Sequence, residues 1–254
     1  MSQIFQSVFY QPILNLLVFL YNTISFHDLG LAIIFLTIVI KAVLWPLSQK
    51  SIKAQKSLQD LQPKINAMKE QYKDDKQKQG QAMIQLYKDH KINPFSSCLP
   101  LLIQLPFLIA VFQVFRDGLN NKLSLVYPFI ERPEAINTLA FGFLDLSKPN
   151  IYLAILAGLA QFWQAKMMMT KRAAVKSEGA KDEDMAAIMN KQMLYFMPAL
   201  TVFIGWTLPG GLTMYWFIVT LLTAVQQLII FKKHFKDQPV LGNEKKVVDG
   251  EVVK

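Results

Sequence analysis

The chain has 254 residues, 52% of them hydrophobic, and a formal net charge of +9. A soluble domain would spread its apolar residues at helix or strand period. Here they are bunched into blocks with the charge between them, the pattern of a chain that crosses ~30 Å of hydrocarbon with ~20 apolar residues at a time. The composition gives little foothold to metal or hydrolytic chemistry: Cys98 stands alone, and His27, His90 and His234 are far apart and outside the apolar blocks. No GxxxxGK[ST], HExxH or GxSxG string occurs, so neither a cofactor nor a catalytic residue is expected, and the protein is read as a non-enzyme.

Residues 1–28 repeat apolar side chains at Phe5, Val8, Phe9, Ile13, Leu16, Leu17, Leu20 and Tyr21, with Gln6, Gln11, Asn15 and Asn22 between them. This spacing predicts an amphipathic helix lying in the membrane interface, with a further span as the alternative. No Lys or Arg precedes Lys41, so the positive n-region of a cleavable signal is missing. Five stronger blocks follow at 29–47, 94–116, 149–169, 191–208 and 212–231, and they predict an all-α polytopic membrane protein with five transmembrane helices. Pro100, Pro106 and Pro198 fall inside these blocks, where neighbouring helices or water must satisfy the freed carbonyls. No internal repeat is evident, which weighs against the inverted-repeat transporter folds.

The segment 48–93 holds a dense run of lysines, from Lys50 to Lys91. Lys171, Arg172, Lys176 and Lys181 fall in the loop 170–190, and Lys232, Lys233 and Lys236 open the tail 232–254, which is expected to be disordered. The loop 117–148 is poorer in basic residues, with Arg116 at its edge and Lys122, Arg132 and Lys148 within. Positive loops stay in the cytoplasm, so the N-terminus is expected outside and the C-terminus inside. Within 48–93, Leu58, Leu61, Ile65, Met68 and Tyr72 step by three and four. Asp74-Asp75-Lys76 and Gly80 break the pattern, and Met83, Ile84 and Tyr87 resume it. A cytoplasmic hairpin of two facing helices would bury both stripes.

Lys41 is the exceptional residue. It interrupts the apolar run 33–47 about 18 Å past Leu29 and ~14 Å before Lys50, near mid-bilayer. A lysine there costs ~2.5–3.5 kcal/mol on insertion scales. No Asp or Glu occurs in any of the five blocks, so its partners are limited to water and uncharged polar groups such as Gln104, Gln113, Gln161, Gln164, Thr213, Tyr215, Thr220, Gln226 and Gln227. Converging on one side of a bundle, these would line a wet groove around a lone cation. Snorkelling of Lys41 to the interface is the alternative, and for the glutamines it is ordinary interhelical hydrogen bonding. A lone cation suits transient attraction of an acidic segment better than it suits ion relay. A small solute transporter would call for a repeat or an intramembrane acid.

Specific strings then carry a resemblance. They are Leu61-Gln62-Pro63-Lys64-Ile65 in the hairpin, Leu86-Tyr87-Lys88 with Asn93-Pro94, and Cys98-Leu99-Pro100-Leu101-Leu102-Ile103-Gln104-Leu105-Pro106. With them go Leu208-Pro209-Gly210-Gly211-Leu212, Tyr215-Trp216 and Gln226-Gln227. In this order and spacing the chain resembles the YidC family of membrane protein insertases and their mitochondrial and chloroplast relatives, over roughly residues 5–235. The resemblance implies a five-helix core whose hydrophilic groove opens to the cytoplasm and the lipid and is closed to the outside. It also implies insertion and folding of small membrane proteins, alone or beside the Sec translocon, with nascent chains and ribosomes as partners in the cell inner membrane. A chaperone role in folding and assembly would use the same groove.

Carried over by position, Lys41 matches the groove's basic residue, which is Arg in most bacterial members. Arg stays charged in any environment, whereas a lysine withdrawn from water need not. Gln104 and Tyr215 match groove-lining positions, Trp216 matches an aromatic position in the last span, and Gln161, Gln164 and Thr220 complete the expected groove set. The chain resembles the short forms, without the large outer-side domain and without their lipoprotein cysteine.

Overall fold

The computed structural model describes residues 3–93, 99–117, 119–168 and 192–237. The expected loop 170–190, the tail beyond Asp237 and the Cys98 end of the second block lie outside the described residues. Seven helical runs carry the fold: α1 (Gln3–Thr23), α2 (Leu29–Gln71), α3 (Lys76–Asp89), α4 (Leu99–Arg116), α5 (Ile151–Met168), α6 (Met197–Thr207) and α7 (Gly210–Asp237). Between α4 and α5 lie a 3₁₀ segment, Leu119–Leu125, and a short antiparallel pair, β1 (Leu139–Ala140) and β2 (Leu144–Asp145).

Each of the five strong apolar blocks is helical over its described residues apart from Pro149, Asn150 and Leu208 at block ends. Among the described residues three helices are long and apolar enough to cross a membrane: α1, α2 and the stretch Gly210–Lys232 of α7. Leu102–Arg116 and Leu194–Thr207 are shorter apolar helices, and α5 is 18 residues long.

The polar stripe of the N-terminal helix is covered by the loop that follows α4. Asn15 is 2% exposed. Its amide donates to Leu125 O at 3.2 Å, and its Oδ1 accepts from Tyr127 N at 2.6 Å. Gln11 Nε2 also donates to Leu125 O, Asn22 Nδ2 donates to Glu131 O, and Tyr21 OH accepts from Asn137 N. The apolar side, from Ile13 and Leu14 to Leu20, is buried in the main core with Leu29, Ile33 and Leu36 of α2 and Val111 and Val114 of α4. A buried amide costs free energy unless it is paired. Here the backbone of the loop 119–137 supplies the partners.

Proline shapes two helix starts in the same way. A π-helical turn at Gln6–Tyr10 ends two residues before Pro12, and another at Gln192–Phe196 ends two residues before Pro198. The proline ring clashes with the carbonyl four residues back, and a wider turn accommodates it.

The 43-residue α2 runs through Pro46 and Pro63 without a break. At ~65 Å it is about twice the thickness of the hydrocarbon core, so one helix forms both the first strong span and the first arm of the hairpin. The expected boundary at 47/48 is therefore not a break in structure. The second arm is α3, whose start is capped by Asp75 accepting from Lys78 N at 3.0 Å, a bond that holds the Asp75 carboxyl below its ordinary value. Leu61 and Ile65 of α2 meet Leu86 of α3 in a small separate cluster, flanked by Met68, Met83, Tyr87 and Ile92. Ile84 of the predicted second stripe is exposed instead, and Leu86 takes the buried place. Gly80, read as a breaker, lies inside α3 with open space around it.

Candidate functional site

Lys41 lies on α2 and is 8% exposed. Among the described residues no hydrogen bond or ion pair engages its ammonium. The nearby turns of the same helix are apolar and buried (Ile33, Leu36, Ile40) or polar and self-satisfied, since Thr37 Oγ1 donates to Ile33 O at 2.6 Å. A buried cation with no fixed partner is expensive in any low-dielectric setting. Among the described residues, water or a visiting acceptor is what remains to stabilise its charged form.

The other groove candidates divide into groups. Gln104 on α4 and Tyr215 on α7 come together: Gln104 Nε2 donates to Tyr215 OH at 2.6 Å, and Tyr215 is fully buried. Gln161 turns the other way, and its Oε1 accepts from Thr201 Oγ1, joining α5 to α6. Gln161 thus makes the interhelical bond that was the alternative reading for the glutamines, and half-buried Gln164 follows it by one turn. Trp216 belongs to an apolar cleft with Leu108, Ile109, Phe112, Leu208 and Leu212. Thr220 is buried, one turn beyond Trp216.

Helix periodicity explains the split along α7. Tyr215 and Gln226 are eleven residues apart, three turns, and share a face, while Trp216, Thr220 and Gln227 form the neighbouring stripe. Gln226 is 1% exposed, and neither its Oε1 nor its Nε2 has a hydrogen-bond partner; Gln227 Oε1 and Gln113 Oε1 are likewise unpaired. Unmet buried amides are uncommon in stable cores. Gln226 therefore joins Lys41 as a polar group whose needs the described residues leave open. Its sequence signal was the pair Gln226-Gln227 in an otherwise apolar helix.

Where α2 leaves the apolar core, Lys56 forms a junction. It is 8% exposed, and its Nζ lies 2.7 Å from Asp60 Oδ1, 3.2 Å from Gln59 Oε1 and 5.5 Å from the centre of the Phe231 ring. Gln59 Nε2 donates to Met168 O at 3.0 Å. These contacts tie the base of the hairpin to the ends of α5 and α7. The hairpin string itself is partly structural: Leu61 and Ile65 are buried, Gln62 is half-buried, and Pro63 and Lys64 are exposed. Lys64 Nζ lies 3.2 Å from His90 Nε2 across the two arms.

The opposite end is closed by backbone. Gly210 N donates to Lys148 O and Gly211 N to Leu146 O, both at 2.9 Å. A side chain at Gly210 would press on Lys148 O, and one at Gly211 would overlap the Phe115 ring. Gly210 is thus required by the close approach of the 139–148 loop and Gly211 by the Phe115 ring of α4.

Long apolar helices, buried polar groups and an emergent helical arm define an α-helical, multi-pass membrane protein. The family model described as 60Kd inner membrane protein matches residues 19–238. The chain is 33% identical over 231 residues to the membrane protein insertase YidC of Fusobacterium nucleatum, covering 89% of this chain and 98% of that one. It is 34% identical over 222 residues to the insertase YidC of Haemophilus influenzae strain Rd, and 32% identical over 225 residues to that of Tolumonas auensis. It covers 36% of the length of each of these two. The chain belongs to the 60Kd inner membrane protein family, the family of the YidC insertases.

Proposed function

We propose that this protein inserts integral membrane proteins into the bilayer through a groove in which Lys41 is the single basic group. The observation that carries the reading is Lys41 itself, nearly buried on α2 and unpaired among the described residues, in a chain of the insertase family. Gln104, Tyr215, Gln226 and Gln227 supply the uncharged polar lining. Five helices (α2 and α4 to α7) surround the groove. The hairpin end faces the cytoplasm and the 119–148 loop faces outward, in keeping with the lysine asymmetry.

The hairpin formed by the end of α2 and α3 receives an emerging apolar segment, delivered by a ribosome or handed over beside the Sec translocon. The short polar stretch to be translocated enters the groove, where Lys41 and the glutamines replace bulk water. The apolar segment then partitions into lipid. Burial of ~20 apolar residues is strongly favourable at ~25 cal/mol per Å², so the protein lowers a barrier and performs no covalent step.

The test is depletion of the host insertase with complementation by this chain, scored by insertion of a Sec-independent single-span reporter. Rescue is expected, and failure of a well-expressed chain to rescue contradicts the reading. The orientation has its own check, in a variant carrying Cys98→Ser and Asp75→Cys. An impermeant thiol reagent applied to intact cells leaves position 75 unlabelled if the hairpin is cytoplasmic.

A further inference from the structure

The β1–β2 tip carries two exposed aromatic residues on a backbone that has little freedom to hide them. Phe141 is 45% exposed at φ +53°, Gly142 follows at φ +79°, and Phe143 is 78% exposed. Phe26, just before α2, is 87% exposed, also with a left-handed backbone at φ +51°. Tyr152, the second residue of α5, is 75% exposed. Left-handed conformation is unfavourable for residues with a β-carbon, so other contacts hold this arrangement in place.

Those contacts are visible. Asp28 Oδ1 accepts from Leu31 N at the start of α2, while its Oδ2 accepts from Phe141 N. Gly30 allows Ala140 against α2, since a β-carbon there would lie 2.6 Å from Ala140 Cβ. On its other side the hairpin is fixed to the start of α7 through Gly210 and Gly211. Asp145 accepts from Ser147 and pairs with Lys148 at 3.1 Å. The tip is a rigid platform held at the level where α2, α5 and α7 begin, and it turns its rings outward.

We propose that this tip is a lipid-docking element: Phe141 and Phe143, whose ring centres lie 6.5 Å apart, seat in the headgroup–acyl boundary of the leaflet at the loop end of the molecule, with Phe26 before α2 and Tyr152 at the start of α5 exposed at the same end. The occupant is lipid because the hairpin is bonded to the starts of α2 and α7, both apolar and long enough to cross a membrane. Aromatic rings favour that boundary, where an apolar body and a wet edge are both accommodated. The platform would set the depth of α2, and with it the level of Lys41, without touching the groove.

The test uses the full chain with Cys98→Ser, reconstituted alone in phosphatidylethanolamine–phosphatidylglycerol vesicles, with a nitroxide on Phe143→Cys. Glu134→Cys provides the aqueous reference and Leu159→Cys the hydrocarbon reference. Collisional relaxation by oxygen and by an aqueous nickel chelate is compared at each site. The expected result at position 143 is strong relaxation by oxygen, with nickel accessibility at least several-fold below that at position 134. Nickel accessibility equal to that at position 134 overturns the proposal. Exclusion of both reagents also overturns it, since a second copy of the chain and not lipid would then cover the tip. Because Phe143 is exposed, the label leaves the platform contacts intact. A retained thermal transition confirms this.

Discussion

The two ends of the molecule differ in how their polar groups are met. At the loop end side chains and backbone bond across the fold: Asn15, Gln11, Asn22 and Tyr21 hold the 119–137 segment, Asp28 holds Phe141, and two glycine N–H groups hold Leu146 and Lys148. Asn22 Oδ1 and Ser25 Oγ are buried atoms left without partners there among the described residues. Toward the hairpin end, Lys41 and Gln226 are buried without partners among the described residues, and the arms meet through only three buried side chains, Leu61, Ile65 and Leu86. A closed end needs only to be stable. An end that admits a substrate keeps polar groups unmet and contacts few enough to open, as low-stability elements do elsewhere.

This contrast can be broken first at Asn15. Asn15→Ala strands Tyr127 N–H and leaves Leu125 C=O with Gln11 alone, and the expected loss is about 2 kcal/mol, read as a clear drop in thermal stability in detergent. An unchanged transition would mean that the loop is not held by this residue. Gly30→Val should cost about 2 kcal/mol by overpacking against Ala140, and labels on the β1–β2 tip should become more mobile. At the hairpin end, Leu86→Ala removes about 2 kcal/mol of local packing. It should raise hydrogen exchange across α3 and the end of α2 while leaving the main thermal transition in place. Loss of the whole fold in that variant, or after deletion of 74–80, would show that the hairpin supports the core.

The smallest effect concerns pH. Hydrogen bonds from Ser147 and then Lys148 hold the Asp145 carboxyl down at about 2. A carboxyl lowered on folding stabilises the fold above its ordinary value, and that contribution disappears only as pH falls through the lowered one. Acidification from pH 7 to 4 should therefore leave the mobility of a label at position 143 unchanged. Loosening already at pH 5 would point to another titrating group.

Much of this was legible in the sequence because membrane burial writes in blocks. The apolar runs located the helices, and the lysine within one of them located the candidate site. Leu61 and Ile65 were readable from their spacing. What the sequence could not show is polarity whose partners are distant: Gln11, Asn15 and Asn22 bond to a loop more than a hundred residues away. The choice of Leu86 over Ile84 depends on how α3 rotates against α2, which periodicity alone leaves open. Tyr215 and Trp216 are adjacent in sequence and therefore on different faces, so a motif containing both could not line one surface. The Gly210-Gly211 pair was read as a turn, and its reason is the Lys148 backbone packed on Gly210 and the Phe115 ring packed on Gly211.

The central claim is electrostatic capture by Lys41. At ~4 Å and an effective dielectric of ~20 one ion pair is worth ~4 kcal/mol before desolvation, so even a strongly reduced remainder should be measurable. The deciding measurement is insertion efficiency for reporters that differ only in the number of Asp and Glu residues in the translocated stretch, in wild type, Lys41→Arg, Lys41→Ala and Lys41→Glu. Lys41→Arg should match wild type. The Lys41→Ala defect should grow with each added acid, reaching about ten-fold for ~1.4 kcal/mol of lost attraction, and Lys41→Glu should be worst on the most acidic reporter. Parallel dependence on reporter charge in wild type and Lys41→Ala would contradict the account.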